Sequence, residues 1–134
     1  MEYTLALIKP DAVEVGLSGQ IIELIEQNGF EVAEIKKGQL SEDDAKSFYA
    51  AHSEKPFFGE LVEYVTSGPI IALKLAGENA VSDWRELMGE TDPEKARIGT
   101  IRCMFGVDIG TNAVHGSDSA ETAKSELEFF FPEA

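Results

Sequence analysis

Tyr3-Thr4-Leu5-Ala6-Leu7-Ile8-Lys9-Pro10-Asp11 opens the chain with six mostly apolar residues that stop at a cation and a proline. A run this short and apolar reads as a buried strand. Pro10 cannot continue a central ladder, so Lys9 is left at a strand end. The pattern then becomes helical: Ser18 is placed to cap a helix whose apolar face is Ile21, Ile22, Leu24 and Ile25, closed by Asn28-Gly29. Phe30 to Leu40 alternates in its first half (Phe30, Val32, Ile35) and reads as a second strand.

Ser41-Glu42-Asp43-Asp44 is a cap followed by first-turn acids, and that helix is expected to run through Phe48-Tyr49-Ala50-Ala51. Pro56-Phe57-Phe58-Gly59 breaks the pattern. A helix over Glu60 to Thr66 follows, then a Ser67-Gly68-Pro69 turn and a third strand over Ile70 to Ala76. Glu78 to Met88 is helical. Gly89 to Thr111 shows little periodicity beyond a short helix expected near Glu94 to Arg97, and a loop of that length in a compact domain points to function or disorder. Val114 belongs to a short fourth strand, and Ser119 caps a last helix reaching Phe131.

The order is β-α-β-α-α-β-α-β-α around a βαββαβ core. It predicts an α+β sandwich of the ferredoxin-like kind, with a four-stranded antiparallel sheet covered by helices on one face, plus extra helices and a long loop. At 134 residues the chain is read as a single domain over 1–134. There is no run of roughly 20 apolar residues that would span a bilayer. The start lacks a basic n-region and a cleavage site, so no signal peptide is read. Cys103 is the only cysteine, which excludes an intramolecular disulfide and fits a reducing, cytoplasmic setting.

The formal net charge is −14, which argues against nucleic acid or an anionic membrane as partner. A saline or acid-rich setting and simple solubility both fit this charge. The cations say more. The three arginines, Arg85, Arg97 and Arg102, fall within 18 residues, and guanidinium forks gathered in an acidic chain suit an anion such as phosphate. Surface salt bridges are the plainer reading of the same cluster.

His115 is one of two histidines. It lies in Asn112-Ala113-Val114-His115-Gly116-Ser117-Asp118-Ser119, between an apolar pair and a turn that opens a helix. Free backbone N–H groups there welcome anions, Gly116 lets backbone approach a ligand, and Ser117 and Asp118 add side-chain oxygens. A nucleophilic histidine needs its second nitrogen protonated and held, and Glu126 on the last helix is within reach of that task. Lys9, Arg85, Arg102 and the Thr91 hydroxyl make a set suited to neutralising a transferred phosphoryl group. Arg102→Ala is accordingly expected to lower transfer by orders of magnitude with little effect on folding. Arg97 fits a phosphate contact or a loop salt bridge equally well. Tyr49, His52, Phe57 and Leu61 fit core packing by default. Tyr49 also suits a phosphate contact, and Phe57, in the helix-breaking segment, suits stacking on a base. No P-loop, protein-kinase loop or Cys/His metal cluster is present.

Read together, these segments resemble nucleoside diphosphate kinases from Thr4 to Phe131. The resemblance is carried by Ile8-Lys9-Pro10-Asp11-Ala12, Phe48-Tyr49, His52 with Lys55-Pro56-Phe57-Phe58, and Ser67-Gly68-Pro69. It continues through Leu87-Met88-Gly89, Thr91-Asp92-Pro93, Gly99-Thr100-Ile101-Arg102 and the Asn112–Ser119 segment. It implies ping-pong transfer of the γ-phosphate of a nucleoside triphosphate, typically ATP, to a nucleoside diphosphate through a pros-phosphohistidine on His115. It further implies support of that histidine by Ser117 and Glu126, and contacts to phosphates and sugar from Lys9, Tyr49, Arg85, Thr91, Arg102 and Asn112. His52, Phe57 and Leu61 complete the nucleotide site it implies. Mg2+ would arrive on the nucleotide, and the assembly would be a homo-oligomer, a dimer-based tetramer or hexamer. A non-catalytic nucleotide-binding protein of the same fold is the alternative. Cys103-Met104 departs from the small residue and aspartate that usually follow the arginine, and the short acidic tail leaves the assembly open.

Overall fold

A computed structural model describes residues 1–108 and 111–132. Residues 109–110 of the long loop and 133–134 of the acidic tail lie outside it. β1 (Glu2–Ile8) is followed by α1 (Pro10–Glu14), α2 (Ser18–Gln27), β2 (Glu31–Gly38), α3 (Glu42–Phe48) and a 3₁₀ turn at Ala50–His52. Then come α4 (Phe58–Val65), β3 (Ile70–Gly77), α5 (Ala80–Met88), α6 (Ile101–Phe105), β4 (Val114–Gly116) and α7 (Ala120–Phe130). The four strands form one antiparallel sheet in the order β2-β3-β1-β4. The α+β sandwich is therefore as expected, with β1 in the interior and His115 of β4 opposite Leu7.

The helices cover both faces of the sheet, not one. On one face α2 and α5 place Ile21, Ile25, Trp84 and Met88 against Ala6, Ile8, Ile71 and Leu73. On the other, α3, α4 and α7 place Ala45, Val62, Val65, Leu127 and Phe130 against Leu5, Leu7, Ile70 and Ala72. Two covered faces explain why β1 and β3 are apolar almost throughout instead of alternating. β2 and β4 are the two edge strands. A bulge in β2 between Val32 and Glu34 shifts its register and leaves Val32 and Ile35 opposite Leu75 and Leu73, yet Ile35, part of the expected alternation, is exposed.

The helix ends show which local signals dominate. Ser41 and Ser119 cap as expected, accepting from the N–H groups of Asp44 and Thr122. Ser18 does not cap; it is the first residue of α2, with Leu17 at the cap position and no side-chain bond. Pro10 ends β1 but also starts a helix, because a helix's first N–H needs no partner and proline's fixed φ suits that position. α3 stops at Phe48 and the chain tightens into the 3₁₀ turn. The helix expected near Glu94 to Arg97 is only a turn; the helix in the long loop is α6, capped by Thr100.

Candidate active site

The C-terminal end of β1, β4, α4 and the loop between α5 and β4 enclose a cleft of about 1190 Å³. Its wall includes Lys9, Arg85, Arg97, Arg102, Asn112 and His115, with His52, Phe57 and Leu61 also lining it. The wall also carries Glu60, Glu86, Glu90 and Asp118, but next to His115 the buried charges are the cations Lys9 and Arg102, which favour an anion there.

His115 sits at the centre with its side chain 20% exposed. Its Nε2 lies 3.3 Å from Glu126 Oε1. The same oxygen accepts the Ser117 hydroxyl at 2.6 Å. An oxygen that accepts from Ser117 is an acceptor for the ring too, so the geometry assigns the imidazole hydrogen to Nε2. Burial lowers the His115 pKa below 6.5, the Glu126 bond opposes that shift, and Lys9 and Arg102 add to it. The ring is neutral at neutral pH, with Nδ1 carrying the free lone pair. Phe48 and Tyr49 flank it edge-on, with ring centres 5.5 and 6.1 Å away. Trp84 Nε1–H donates to the His115 carbonyl at 3.3 Å.

The cations are held as firmly. Lys9 donates to Asn112 Oδ1 at 2.9 Å, and Asn112 Nδ2 donates to the Thr91 carbonyl at 3.0 Å, so three elements meet at one buried amide. Burial brings the Lys9 pKa down to about 8, Arg102 pushes the same way, and Asp11 resists. Arg102 bridges the loop to β4, donating to Gly89 O at 3.1 Å and Val114 O at 2.9 Å. Burial, and then Arg85, lowers its pKa to about 10. Gly89 takes φ +86°, and a Cβ there would lie 2.5 Å from Thr100 Oγ1, which keeps the loop tight against α6.

Three buried polar atoms at this site lack a hydrogen-bond partner: Tyr49 OH, His52 Nδ1 and Arg102 Nε. Unpaired buried donors and acceptors are costly, so their clustering marks a place shaped for a polar ligand.

Residues 2–134 match the sequence profile of the family described as nucleoside diphosphate kinase. The chain belongs to the nucleoside diphosphate kinase family. The nucleoside diphosphate kinase of Campylobacter fetus is 56% identical over 131 residues, which are 98% of this chain and 96% of the relative. The solved structure of the Aquifex aeolicus nucleoside diphosphate kinase superposes with a TM-score of 0.95 at 45% identity, covering 97% of this chain and 94% of that one. A halophilic nucleoside diphosphate kinase from Halobacterium salinarum, solved in complex with CDP, also gives a TM-score of 0.95, at 40% identity, covering 98% of this chain and 88% of that one.

Measured against this family, the structure gathers Lys9, His52, Phe57, Leu61, Arg85, Thr91, Arg102, Asn112 and His115 around one cleft. Ser117 and Glu126 lie behind His115, not on the wall. Tyr49 is also behind the wall, its ring packed between Phe48 and His52. Arg97, left open by the sequence, faces the cleft, as do Lys55, Glu60 and Tyr64, which the sequence reading did not single out as site residues. Cys103 and Met104 fall on α6, whose backbone is fixed by the Thr100 cap, so the usual acid is not needed to form this helix. Among the described residues, no group of three or more His, Cys, Asp or Glu side chains is placed to hold a metal ion.

Proposed function

We propose that this chain transfers the γ-phosphate of a nucleoside triphosphate, typically ATP, to a nucleoside diphosphate in two half-reactions, with a phosphohistidine on His115 Nδ1 between them. The observation that carries this reading is the tether of His115 Nε2 to Glu126, which holds the hydrogen on one nitrogen and leaves the other to attack. In the first half-reaction Nδ1 forms a bond to the γ-phosphorus as the bond to the β-phosphate oxygen breaks, and the diphosphate leaves. The positive charge that develops on the ring is offset by Glu126. In the second, an oxygen of another diphosphate takes the phosphoryl group and frees Nδ1.

The transition state spreads negative charge over the phosphoryl oxygens, so fixed cations supply most of the catalysis. Lys9, Arg85, Arg102 and Thr91 take the phosphates in this reading, Asn112 orients Lys9 and reaches the sugar, and Tyr49, behind the wall, packs its ring edge-on against His115. Phe57, 47% exposed at the rim, offers a ring for any base to stack on, flanked by Leu61 and His52. Lys9, Arg85, Arg97 and Arg102 suit phosphate oxygens, and the wall's carboxylates among the described residues, Glu60, Glu86, Glu90 and Asp118, form no group of three placed to hold a metal ion. Mg2+ therefore fits as part of the nucleotide substrate, neutralising its phosphates.

The proposal extends to one domain over 1–134, a cytoplasmic setting, and a homo-oligomer built from dimers as a tetramer or hexamer. No helix among the described residues is long and apolar enough to cross a membrane. Incubation with γ-labelled ATP tests the core of the reading. The label is expected on His115 in an acid-labile, base-stable linkage and should move to added nucleoside diphosphate. Normal transfer by His115→Ala would overturn it.

A further inference from the structure

Ala113 has φ +75°, alone among the described non-glycine residues in having a positive φ. The Val114 N–H donates to the Asn112 carbonyl at 2.9 Å, closing a three-residue turn around it. Such a turn is strained for a residue with a Cβ. It also sits where a change would matter most. Asn112, just before it, holds Lys9. Val114, just after it, accepts from Arg102, and His115 follows. A flip of one peptide here would displace all three.

Two groups on the chain after β1 hold the turn. Lys9 N–H donates to the Ala113 carbonyl at 2.8 Å. Asp11, in the first turn of α1, accepts the Ala113 N–H on Oδ2 at 3.1 Å. Its other oxygen, Oδ1, accepts the Tyr64 hydroxyl from α4. The carboxylate is thus fixed at both ends, one on the strained turn and one on a rigid ring. Burial first, and then the Asp11 bond, drives the Tyr64 pKa far above its ordinary value, so the hydroxyl stays a donor. The Lys9 ammonium lies 5.7 Å from the centre of the Tyr64 ring, which ties the clamp to the cleft.

We propose that Asp11, held by Tyr64, is a positioning residue that locks the Ala113 turn and thereby sets His115, Asn112 and Lys9 for phosphoryl transfer. This rests on His115 being the phosphorylated group. Asp11 acts through the turn and touches no substrate.

The test is the maximal rate of His115 phosphorylation by ATP in rapid-mixing single turnovers, with thermal melts to check folding. Asp11→Ala should lose about 10- to 100-fold, as a small displacement of reacting groups does. Ala113→Gly alone should cost at most about threefold, because glycine enters positive φ without the Cβ penalty. The decisive variant is Asp11→Ala/Ala113→Gly. Glycine removes a conformational penalty of about five- to thirtyfold, so the double variant should be at least about fivefold faster than Asp11→Ala. Loss of charge alone, or general destabilisation, gives no such rescue. A double variant no faster than Asp11→Ala overturns the clamp, as does Asp11→Ala at the wild-type rate. If Asp11→Ala does not fold, Tyr64→Phe decides. It should slow phosphorylation at saturating ATP several-fold, and a wild-type rate overturns the proposal. Wild-type protein that takes no phosphate on His115 overturns the reading beneath it, a failure visible before any variant is compared.

Discussion

Glu126→Gln isolates the part of the mechanism that depends on one proton's position. The substitution keeps the size and one acceptor oxygen but removes the charge. Glu126 Oε1 carries two bonds, 2.6 Å from Ser117 and 3.3 Å from His115. A hydrogen bond to a charged group contributes about 1.5–3 kcal/mol, and the long His115 contact belongs at the low end. Losing about 1.5 kcal/mol of support for the reactive tautomer and the developing imidazolium slows attack about tenfold. The amide has a second way to act. If its NH2 turns to the ring, Nε2 becomes an acceptor, the hydrogen moves to Nδ1, and that molecule cannot attack. Together these give about 10- to 100-fold. The assay is single-turnover phosphorylation by ATP, read beside a thermal melt. Ser117→Ala serves as a control: it removes the shorter bond but leaves a charged Glu126 on the ring, so it should cost only a few-fold. A Glu126→Gln protein that is phosphorylated at the wild-type rate would refute the tether as the source of the reactive tautomer.

Three further outcomes follow from the same geometry. The pH profile of kcat/KM should rise as neutral His115 forms, below its usual 6.5, and fall again as Lys9 loses its proton near about 8, since both charge states belong to the free protein. Arg102→Ala should lower transfer by orders of magnitude, and it should also destabilise the fold. Two carbonyls, of Gly89 and Val114, lose a charged donor, which costs about 2–4 kcal/mol, or roughly 10 °C in Tm by differential scanning calorimetry. The sequence alone predicts little folding effect, because it cannot show that this guanidinium ties the loop to β4. Gly116→Ala should destabilise by about 1–3 kcal/mol in urea melts, because a Cβ there would lie 2.5 Å from Met88 Cε and 2.6 Å from the buried Trp84 ring.

Much of the fold is legible in the sequence where a segment is long enough to show its period. β1 and β3 declare themselves by unbroken apolar runs, α2 by its apolar face, and α3 and α7 by serine caps. α1 and α6 are not legible, for a physical reason: each has five residues, too few to repeat a helical period. Pro10 is ambiguous by nature, since it ends a ladder and begins a helix equally well. The exposure of Ile35, on the same face as Val32, follows from its place on an edge strand, a tertiary fact. At the site, His115 and the arginines are readable because these residues are scarce in this chain, and Lys9 because it stands at a strand end before Pro10. Tyr49 is read as a phosphate contact yet lies behind the wall, so its hydroxyl's role depends on packing that spacing does not encode. Asp11 is hidden for the opposite reason. A carboxylate after a proline is common, and only the fold shows that it holds a strained turn 102 residues away.

The central claim is that His115 is the phosphate carrier and that Glu126 decides which nitrogen carries it. The most direct measurement is phosphorus NMR of the protein after reaction with ATP, unfolded in base to preserve the linkage, with nitrogen coupling to identify the site. The account predicts one phosphohistidine, on His115 Nδ1. Phosphate on Nε2, on His52, or on no histidine at all would contradict it.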